Sequence, residues 1–250
     1  MIKDFILDRV EKLKKENGII SIALTGSYAR NQEEKYSDID ILCIKKRKKA
    51  SKIETIDGKY FVISYHTKKE IEDIFNTPNK ASRYLYGLKS SAILFDPENY
   101  FNKIKERANA FSWTESLIKK RDQYINDEFI GWLEEINKSI QGLIKNDIGK
   151  MIMGLHGLTF GMFDIISIYK KILIKSDNTY FTQIVESMNE NNTFVRNSYI
   201  AFGVENNNGV TQRTKAGLVV FFHTFNEVKS VLSSKNRKII QNKIDEIKKT

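Results

Sequence analysis

Leu24-Thr25-Gly26-Ser27-Tyr28-Ala29-Arg30 and, shortly after, Ser37-Asp38-Ile39-Asp40-Ile41-Leu42 are the two most informative segments of this chain. The first leaves an apolar run through a Gly-Ser turn, and the second opens a new strand with two carboxylates separated by one residue. Because side chains alternate between the faces of a strand, Asp38 and Asp40 are predicted to share one face of a sheet. The isoleucines that alternate with them are expected to point to the opposite, buried face.

Two carboxylates on one face repel each other unless a cation lies between them. Mg²⁺ suits this position because it prefers oxygen ligands and completes its shell with water and substrate phosphates. The Gly26-Ser27 turn can bring backbone N–H groups close to phosphate oxygens, since glycine has no side chain to keep them apart. The turn and the Asp38/Asp40 pair together indicate metal-assisted transfer of a nucleotidyl group.

The order of Gly26-Ser27, a spacer and Asp38-Ile39-Asp40 resembles the motif of the nucleotidyltransferase superfamily typified by DNA polymerase β. Within that superfamily the chain is most similar to the antibiotic nucleotidyltransferases of the kanamycin type. The hairpin at Gly58 with residues 60–65 and the segment Gly154-Leu155-His156-Gly157 also contribute to this similarity. The resemblance implies an adenylyltransferase that uses Mg²⁺ and ATP. It would transfer AMP to a hydroxyl of a small molecule, an aminoglycoside or a lincosamide antibiotic being the candidates.

The resemblance also implies roles for individual residues. Gly26 and Ser27 would hold the triphosphate, Arg30 would neutralise phosphate charge, and Ser37 is assigned to the same nucleotide site. The two aspartates would be the metal ligands and therefore catalytic residues.

A carboxylate is also needed as the general base toward the acceptor hydroxyl. In the antibiotic enzymes a glutamate on the first long bundle helix has this role, and Asp127-Glu128-Phe129 is similar to that segment by position. Glu128 is therefore the candidate base, with Glu134 and Glu135 as rivals. If one continuous helix carries them, Glu135 is nearly in phase with Glu128.

One departure from the superfamily concerns its third carboxylate, which usually comes from the strand after the hairpin. Counted from Gly58, that position falls near Phe61 or Val62, and both are apolar. Two ligands can hold one metal ion well and a second one poorly, which weakens a two-metal mechanism.

The first part of the chain predicts an α/β (α+β) fold with a small mixed sheet. An amphipathic helix is expected at 2–16, and strands are expected at 19–25, 38–44, 53–56, 60–66 and 92–95. Asp57-Gly58 marks a hairpin, Thr67-Lys68-Lys69-Glu70 is a capping box, and Asp96-Pro97 is expected to start a helix. The predicted nucleotidyltransferase catalytic domain spans residues 1–111.

The second part, residues 112–250, predicts a C-terminal α-helical bundle. Ser112-Trp113-Thr114-Glu115 is interpreted as a capping box before one helix reaching about residue 146. Further helices are expected at 148–173, 181–188, 217–232 and 239–247, with asparagine-rich loops at 189–192 and 206–208. Three glycines, Gly154, Gly157 and Gly161, are interpreted as sites of close helix packing. His156, surrounded by apolar neighbours, is expected in the core.

Composition narrows the classes of partner and compartment. The net charge of +10 favours anionic partners such as a nucleoside triphosphate. The basic run at 45–49 is interpreted as a solvated loop, so nucleic acid is not expected as a partner. The single cysteine, Cys43, is expected to be an inert core thiol. Neither a signal peptide nor an apolar run long enough to span a membrane is expected, and the cytoplasm is the expected compartment.

Two other functions agree with the same motif. A protein-adenylylating enzyme, like the minimal nucleotidyltransferase antitoxins, would use the same residues, but those proteins are much shorter. A catalytically impaired relative that binds a nucleotide or nucleic acid would explain the missing third carboxylate and the positive charge. The sequence also leaves room for a homodimer.

Overall fold

The computed structural model describes residues 3–188, 193–204 and 208–247. The chain divides into two compact units, Met1–Trp113 and Thr114–Thr250. Each unit has its own apolar core. The α/β (α+β) fold class predicted from the sequence is confirmed, with a mixed sheet in the first unit and helices in the second.

The first unit is built on a five-stranded sheet with the order β3-β4-β2-β1-β5. β2 and β4 are parallel, whereas the other neighbouring strands are antiparallel. β2 and β4 therefore lie side by side in the sheet, although β3 lies between them in the sequence. The strands are β1 Ile19–Leu24, β2 Ile39–Lys45, β3 Lys52–Ile56, β4 Lys59–His66 and β5 Ala92–Phe95.

Five helices accompany this sheet. The capping box predicted for α3 is present, because Thr67 Oγ1 accepts from the Glu70 N–H and the Glu70 carboxylate accepts from the Thr67 N–H. The helix Pro78–Ser90 was not predicted from the sequence; it begins with a proline in its first turn, where the lost N–H costs nothing. The helices are α1 Asp4–Lys14, α2 Gly26–Ala29, α3 Lys68–Asn76, α4 Pro78–Ser90 and α5 Tyr100–Asn109.

The core of the first unit lies between α1 and one face of the sheet. Alternate residues of β2 and β4 supply it, and all of them are buried. Cys43 is one of these residues, and burial raises the pKa of its thiol to about 12, which agrees with the inert thiol expected. The apolar side chains that meet here include Ile6, Val10, Leu13, Ile39, Ile41, Phe61 and Ile63.

The second unit consists of helices packed around the long apolar helix α8. The expectation of a single helix up to residue 146 is wrong, because the first helix ends at Gly131 and a new helix starts at Leu133. The expected cap at Ser112 is also wrong, since Thr114 Oγ1 accepts from the Leu117 N–H. The helices are α6 Glu115–Gly131, α7 Leu133–Lys145, α8 Ile148–Tyr169, α9 Tyr180–Glu186, α10 Thr193–Phe202, α11 Val210–Val228 and α12 Ser234–Ile247.

Other elements of this unit also differ from expectation. α10 was not predicted, and α11 begins seven residues before the expected start at Gly217. Of the asparagine-rich loops expected at 189–192 and 206–208, all but residue 208 lie outside the described residues.

Three of the glycines of α8 allow close packing against α7, as predicted. A Cβ on Gly154 would lie 2.3 Å from Ser139 Oγ, one on Gly157 2.7 Å from Glu135 Oε2, and one on Gly161 2.5 Å from the Trp132 ring. His156 lies on a different face of the same helix and is exposed, so the expectation that it lies in the core is wrong.

The expectation that no segment is long and apolar enough to span a membrane is not met by α8. Its length and mean hydropathy of 1.5 would suffice for one crossing. However, 67% of its apolar window is buried inside the protein, as in the core helix of a bundle. It is the one such helix within the described ranges.

Candidate active site

The paired aspartates lie at the start of β2. Asp40 is on the strand and half-buried, whereas Asp38 precedes the strand and is exposed. Ile39 and Ile41 alternate with them and are fully buried on the core side. Strand alternation therefore directs Asp40 to the face opposite α1, and the charge of Asp38 lies close enough to act on it.

Gly26 contacts the carboxylate of Asp40 directly. It adopts a φ of +67°, which glycine accepts readily, and opens the single-turn helix α2, not the simple turn that was expected. A Cβ at this position would lie only 2.0 Å from Asp40 Oδ2. Glycine is therefore required twice here, by its backbone conformation and by the space that Asp40 occupies.

Thr25 fixes the backbone of Asp40 and was not singled out from the sequence. Its N–H donates to the Asp40 carbonyl at 2.9 Å, and its hydroxyl lies 3.5 Å from the same oxygen. Because the neighbouring Leu24 pairs with Ile41, β1 holds this part of β2 in register up to the Gly-Ser motif. The signal in the sequence was a hydroxyl residue between a buried strand and the Gly-Ser pair.

The pKa of Asp40 is raised from 3.8 to about 6. Burial of the carboxyl is the largest cause, and the negative charge of Asp38 adds to it. The positive charge of Arg30 acts in the opposite direction. Ionised Asp40 is therefore costly by itself, and a bound cation would lower that cost.

The other predicted nucleotide residues are placed around the same loop, each with a local partner. Arg30 Nε donates to Gln32 Oε1 at 3.0 Å, and the Ser27 carbonyl accepts from the backbone N–H of Arg30 and of Gln32. Ser37 closes a turn, because its hydroxyl accepts from the Glu34 N–H at 2.8 Å. Contact of these side chains with a nucleotide stays a prediction.

Val62 occupies the position beside Asp40 on the parallel strand β4. The structure thus places an apolar side chain where the superfamily usually offers its third carboxylate. Among the described residues, no group of three or more Asp, Glu, His or Cys side chains is arranged to hold a metal ion. The donor set of Asp38 and Asp40, with Gly26 leaving room for the Asp40 carboxylate, fits one divalent ion completed by water and phosphate oxygens.

Comparison with known families gives this geometry a context. The family model described as a nucleotidyltransferase domain matches residues 6–141, more than half of the chain. The chain belongs to this nucleotidyltransferase domain family. The matched residues include the Gly-Ser motif, both aspartates and Glu128. The membership supports nucleotidyl transfer as the general chemistry of this chain.

Among solved structures, this nucleotidyltransferase is similar to a nucleotidyltransferase-like protein from Exiguobacterium sibiricum. The two chains are 11% identical, with a TM-score of 0.49, and the similarity covers 88% of this chain and 74% of the other. No curated protein sequence matches this chain.

The candidate base of this nucleotidyltransferase, Glu128, lies on α6 in the second unit, and its side chain is exposed. Glu134 and Glu135 lie on α7, and both carboxylates pair with Lys138, at 2.9 Å and 2.7 Å. Because Trp132 separates the two helices, the single helix expected to carry Glu128 and Glu135 is wrong, and which of these carboxylates is the base stays a prediction.

Replacement of Gly26 by alanine should damage both the fold and the candidate metal site. The new Cβ would be strained by the positive φ and would displace the Asp40 carboxylate. We expect a stability loss of more than about 1–3 kcal/mol, the usual cost of an unfavourable backbone conformation alone, and weaker Mn²⁺ binding by calorimetry.

Gly58→Ala is the matched control, because Gly58 has a φ of +71° but no atom within 4 Å of its added Cβ. It should show the backbone cost without the loss of metal affinity. Equal Mn²⁺ affinity in Gly26→Ala and Gly58→Ala would contradict the assigned contact between Gly26 and Asp40.

Proposed function

We propose that this protein is a Mg²⁺-dependent adenylyltransferase that transfers AMP from ATP to a hydroxyl of a small molecule. The observation that carries the proposal is Asp40 on the sheet face opposite the core, beside the charge of Asp38 and against Gly26. Membership in the nucleotidyltransferase domain family supports the general reaction. The identities of the nucleotide, the metal ion and the acceptor go beyond the family and belong to the proposal.

In this proposal the first unit holds the nucleotide. Gly26 and Ser27 approach the triphosphate with their backbone, Arg30 offsets phosphate charge, and Ser37 keeps the loop before the aspartates closed. Mg²⁺ held by the aspartate pair would supply positive charge to the phosphates during transfer. With Val62 beside Asp40, we propose one metal ion at this pair.

The proposed step forms one bond and breaks another. The acceptor oxygen bonds to the α-phosphorus of ATP while the bond from that phosphorus to the pyrophosphate oxygen breaks. The acceptor proton passes to Glu128, and pyrophosphate leaves. Glu128 suits a base better than its rivals, because no ion pair or side-chain hydrogen bond involves it in the part of the chain that the structure describes, whereas Glu134 and Glu135 hold Lys138.

The surface next to Asp40 favours an acceptor with an apolar face. Ile53 lies opposite Val62, and Thr55 lies opposite Tyr60, which gives these residues the same sheet face as the aspartates. Ile53 is 70% exposed and Tyr60 58% exposed. A lincosamide has an apolar part that fits such a surface, whereas a polycationic aminoglycoside would need acidic groups there.

A second candidate function is a nucleotide-binding relative with impaired catalysis. Val62 beside Asp40 is the observation that favours it, because the aspartate pair lacks a third carboxylate partner on that strand. The protein-adenylylating function has no such observation in its favour.

A turnover screen tests the proposed function. The protein with Mg²⁺ and ATP is incubated with a panel of aminoglycosides and lincosamides, and pyrophosphate release and a mass increase of the acceptor are measured. We expect release with a lincosamide, and none without an acceptor or with EDTA. ATP binding by calorimetry, without turnover on any acceptor, would favour the impaired relative over the enzyme.

A further inference from the structure

A basic cleft lies between the end of α11 and the first turns of α12, both in the second unit. It is a shallow depression, open to solvent, with a volume of about 390 Å³. The ring of Phe225 contributes an apolar wall. The polar side chains that line the cleft are Asn226, Lys229, Ser234, Arg237, Lys238 and Gln241.

The charge of this cleft is positive and locally uncompensated. Three of its lining side chains are cations, Lys229, Arg237 and Lys238, and none is acidic. Over residues 3–188, 193–204 and 208–247, no ion pair involves any of the three. The neighbouring acid Glu227 is held by Lys170 at 2.8 Å. Within the described residues, no side-chain hydrogen bond involves Lys229 or Lys238, whereas Arg237 Nη2 donates to Ser234 Oγ at 3.4 Å. The cleft therefore offers two free ammonium groups, and a guanidinium with one long hydrogen bond, to an anion.

The position of two of these cations at the start of α12 adds to the indication of an anionic ligand. Positive charges at the N-terminal end of a helix are unfavourable, because the helix dipole is itself positive there. α12 nevertheless begins with Lys235, Arg237 and Lys238 and has no acidic residue in its first turn. The backbone does not supply the site alone, since the Asn236 N–H already donates to the Ser233 hydroxyl. A bound anion would offset this repulsion.

We propose that the cleft between α11 and α12 binds a small anion with two or more phosphate groups, such as pyrophosphate or the phosphate chain of a nucleotide. The Arg237 guanidinium can donate two parallel hydrogen bonds to phosphate, and Lys229 and Lys238 supply point charges from two helices. Ser234, Asn226 and Gln241 can donate further hydrogen bonds. The small cavity favours such a ligand over a nucleic-acid strand, which needs a longer basic groove.

Thermal unfolding and calorimetry test this proposal in the full-length protein, with EDTA present so that no metal links a phosphate to the aspartates. Pyrophosphate is expected to raise the melting temperature more than NaCl at equal ionic strength. Arg237→Gln/Lys238→Gln should reduce pyrophosphate affinity at least about tenfold, and Lys229→Gln should reduce it from the α11 side. Lys235→Gln is the matched control, because it removes a charge from the same turn without lining the cleft.

Further ligands separate the sources of the phosphate groups. Stabilisation by ATP and not by pyrophosphate, if lost in Arg237→Gln/Lys238→Gln, would identify a nucleotide as the ligand. Stabilisation by pyrophosphate with none by ATP would identify the free anion. The proposal is wrong if NaCl reproduces the effect, if the cleft variants bind like Lys235→Gln, or if only an oligonucleotide binds. Because every step omits metal and acceptor, the result does not depend on the proposed adenylyl transfer.

Discussion

Asp40→Asn is expected to lower nucleotidyl transfer by more than about 10²–10³-fold, the loss seen when one preorganised electrostatic group is removed from an active site. Asp38→Asn should have the same effect, because the proposed site needs both carboxylates to hold the metal ion. Mn²⁺ affinity measured by calorimetry should fall together with turnover. The exposed Asp8 on α1 gives the matched control, Asp8→Asn, which should change neither.

The stability of Asp40→Asn should change in the opposite direction to its activity. The pKa of Asp40 is raised to about 6, so above that pH the folded protein carries a charge that it disfavours. Without metal, Asp40→Asn should therefore melt about 2–4 °C higher at pH 7.5, which corresponds to about 1 kcal/mol for a chain of this size. The difference should shrink as the pH falls from 6 toward 4, because wild-type Asp40 then takes up a proton. Normal turnover in both aspartate variants would refute the site.

Local patterns predicted the elements of the first unit well. The apolar run at 19–25, the alternation after Asp38 and the pair Asp57-Gly58 each fix a strand or a turn through nearby residues. Asp57 and Gly58 indeed both adopt positive φ. The parallel pairing of β2 with β4 could not be predicted from such patterns, because it depends on a contact between strands that are not adjacent in sequence.

The errors in the second unit have physical causes. α8 carries apolar residues on its exposed face as well as on its buried face, since Met153 and Phe160 are 64% and 55% exposed. The apolar neighbours of His156 in the sequence therefore did not show that His156 lies on the exposed face. The break at Trp132 was hidden because apolar spacing continues on both sides of it.

At the site, the sequence predicted that Asp38 and Asp40 share a face and that a glycine precedes them in the Gly-Ser turn. It did not predict why glycine is needed. The sequence assigned Gly26 a role toward phosphate because glycine has no side chain. The structure adds a second reason, since Asp40 Oδ2 occupies the space that a side chain at position 26 would need. Such a contact joins residues from two elements and appears only when both are folded.

Glu128→Gln is expected to lower turnover by about 10²–10⁴-fold, the usual contribution of a general base. ATP affinity should hardly change, because the aspartate pair and the Gly-Ser motif hold the nucleotide in the proposed site. The pH–rate profile should lose its acidic limb, since glutamine keeps the size of the side chain and cannot take up the proton. Turnover, ATP calorimetry and the pH profile are measured on the same preparation.

Two matched variants, Glu134→Gln and Glu135→Gln, show whether the loss belongs to Glu128. Both remove a carboxylate that pairs with Lys138, and neither should affect the acidic limb. If Glu135→Gln is inactive and Glu128→Gln is normal, the base lies on α7 and the assignment to α6 is wrong. Normal turnover in all three variants would place the base elsewhere. If no acceptor supports turnover while ATP still binds, the Val62 position next to Asp40 becomes the physical reason for an impaired relative.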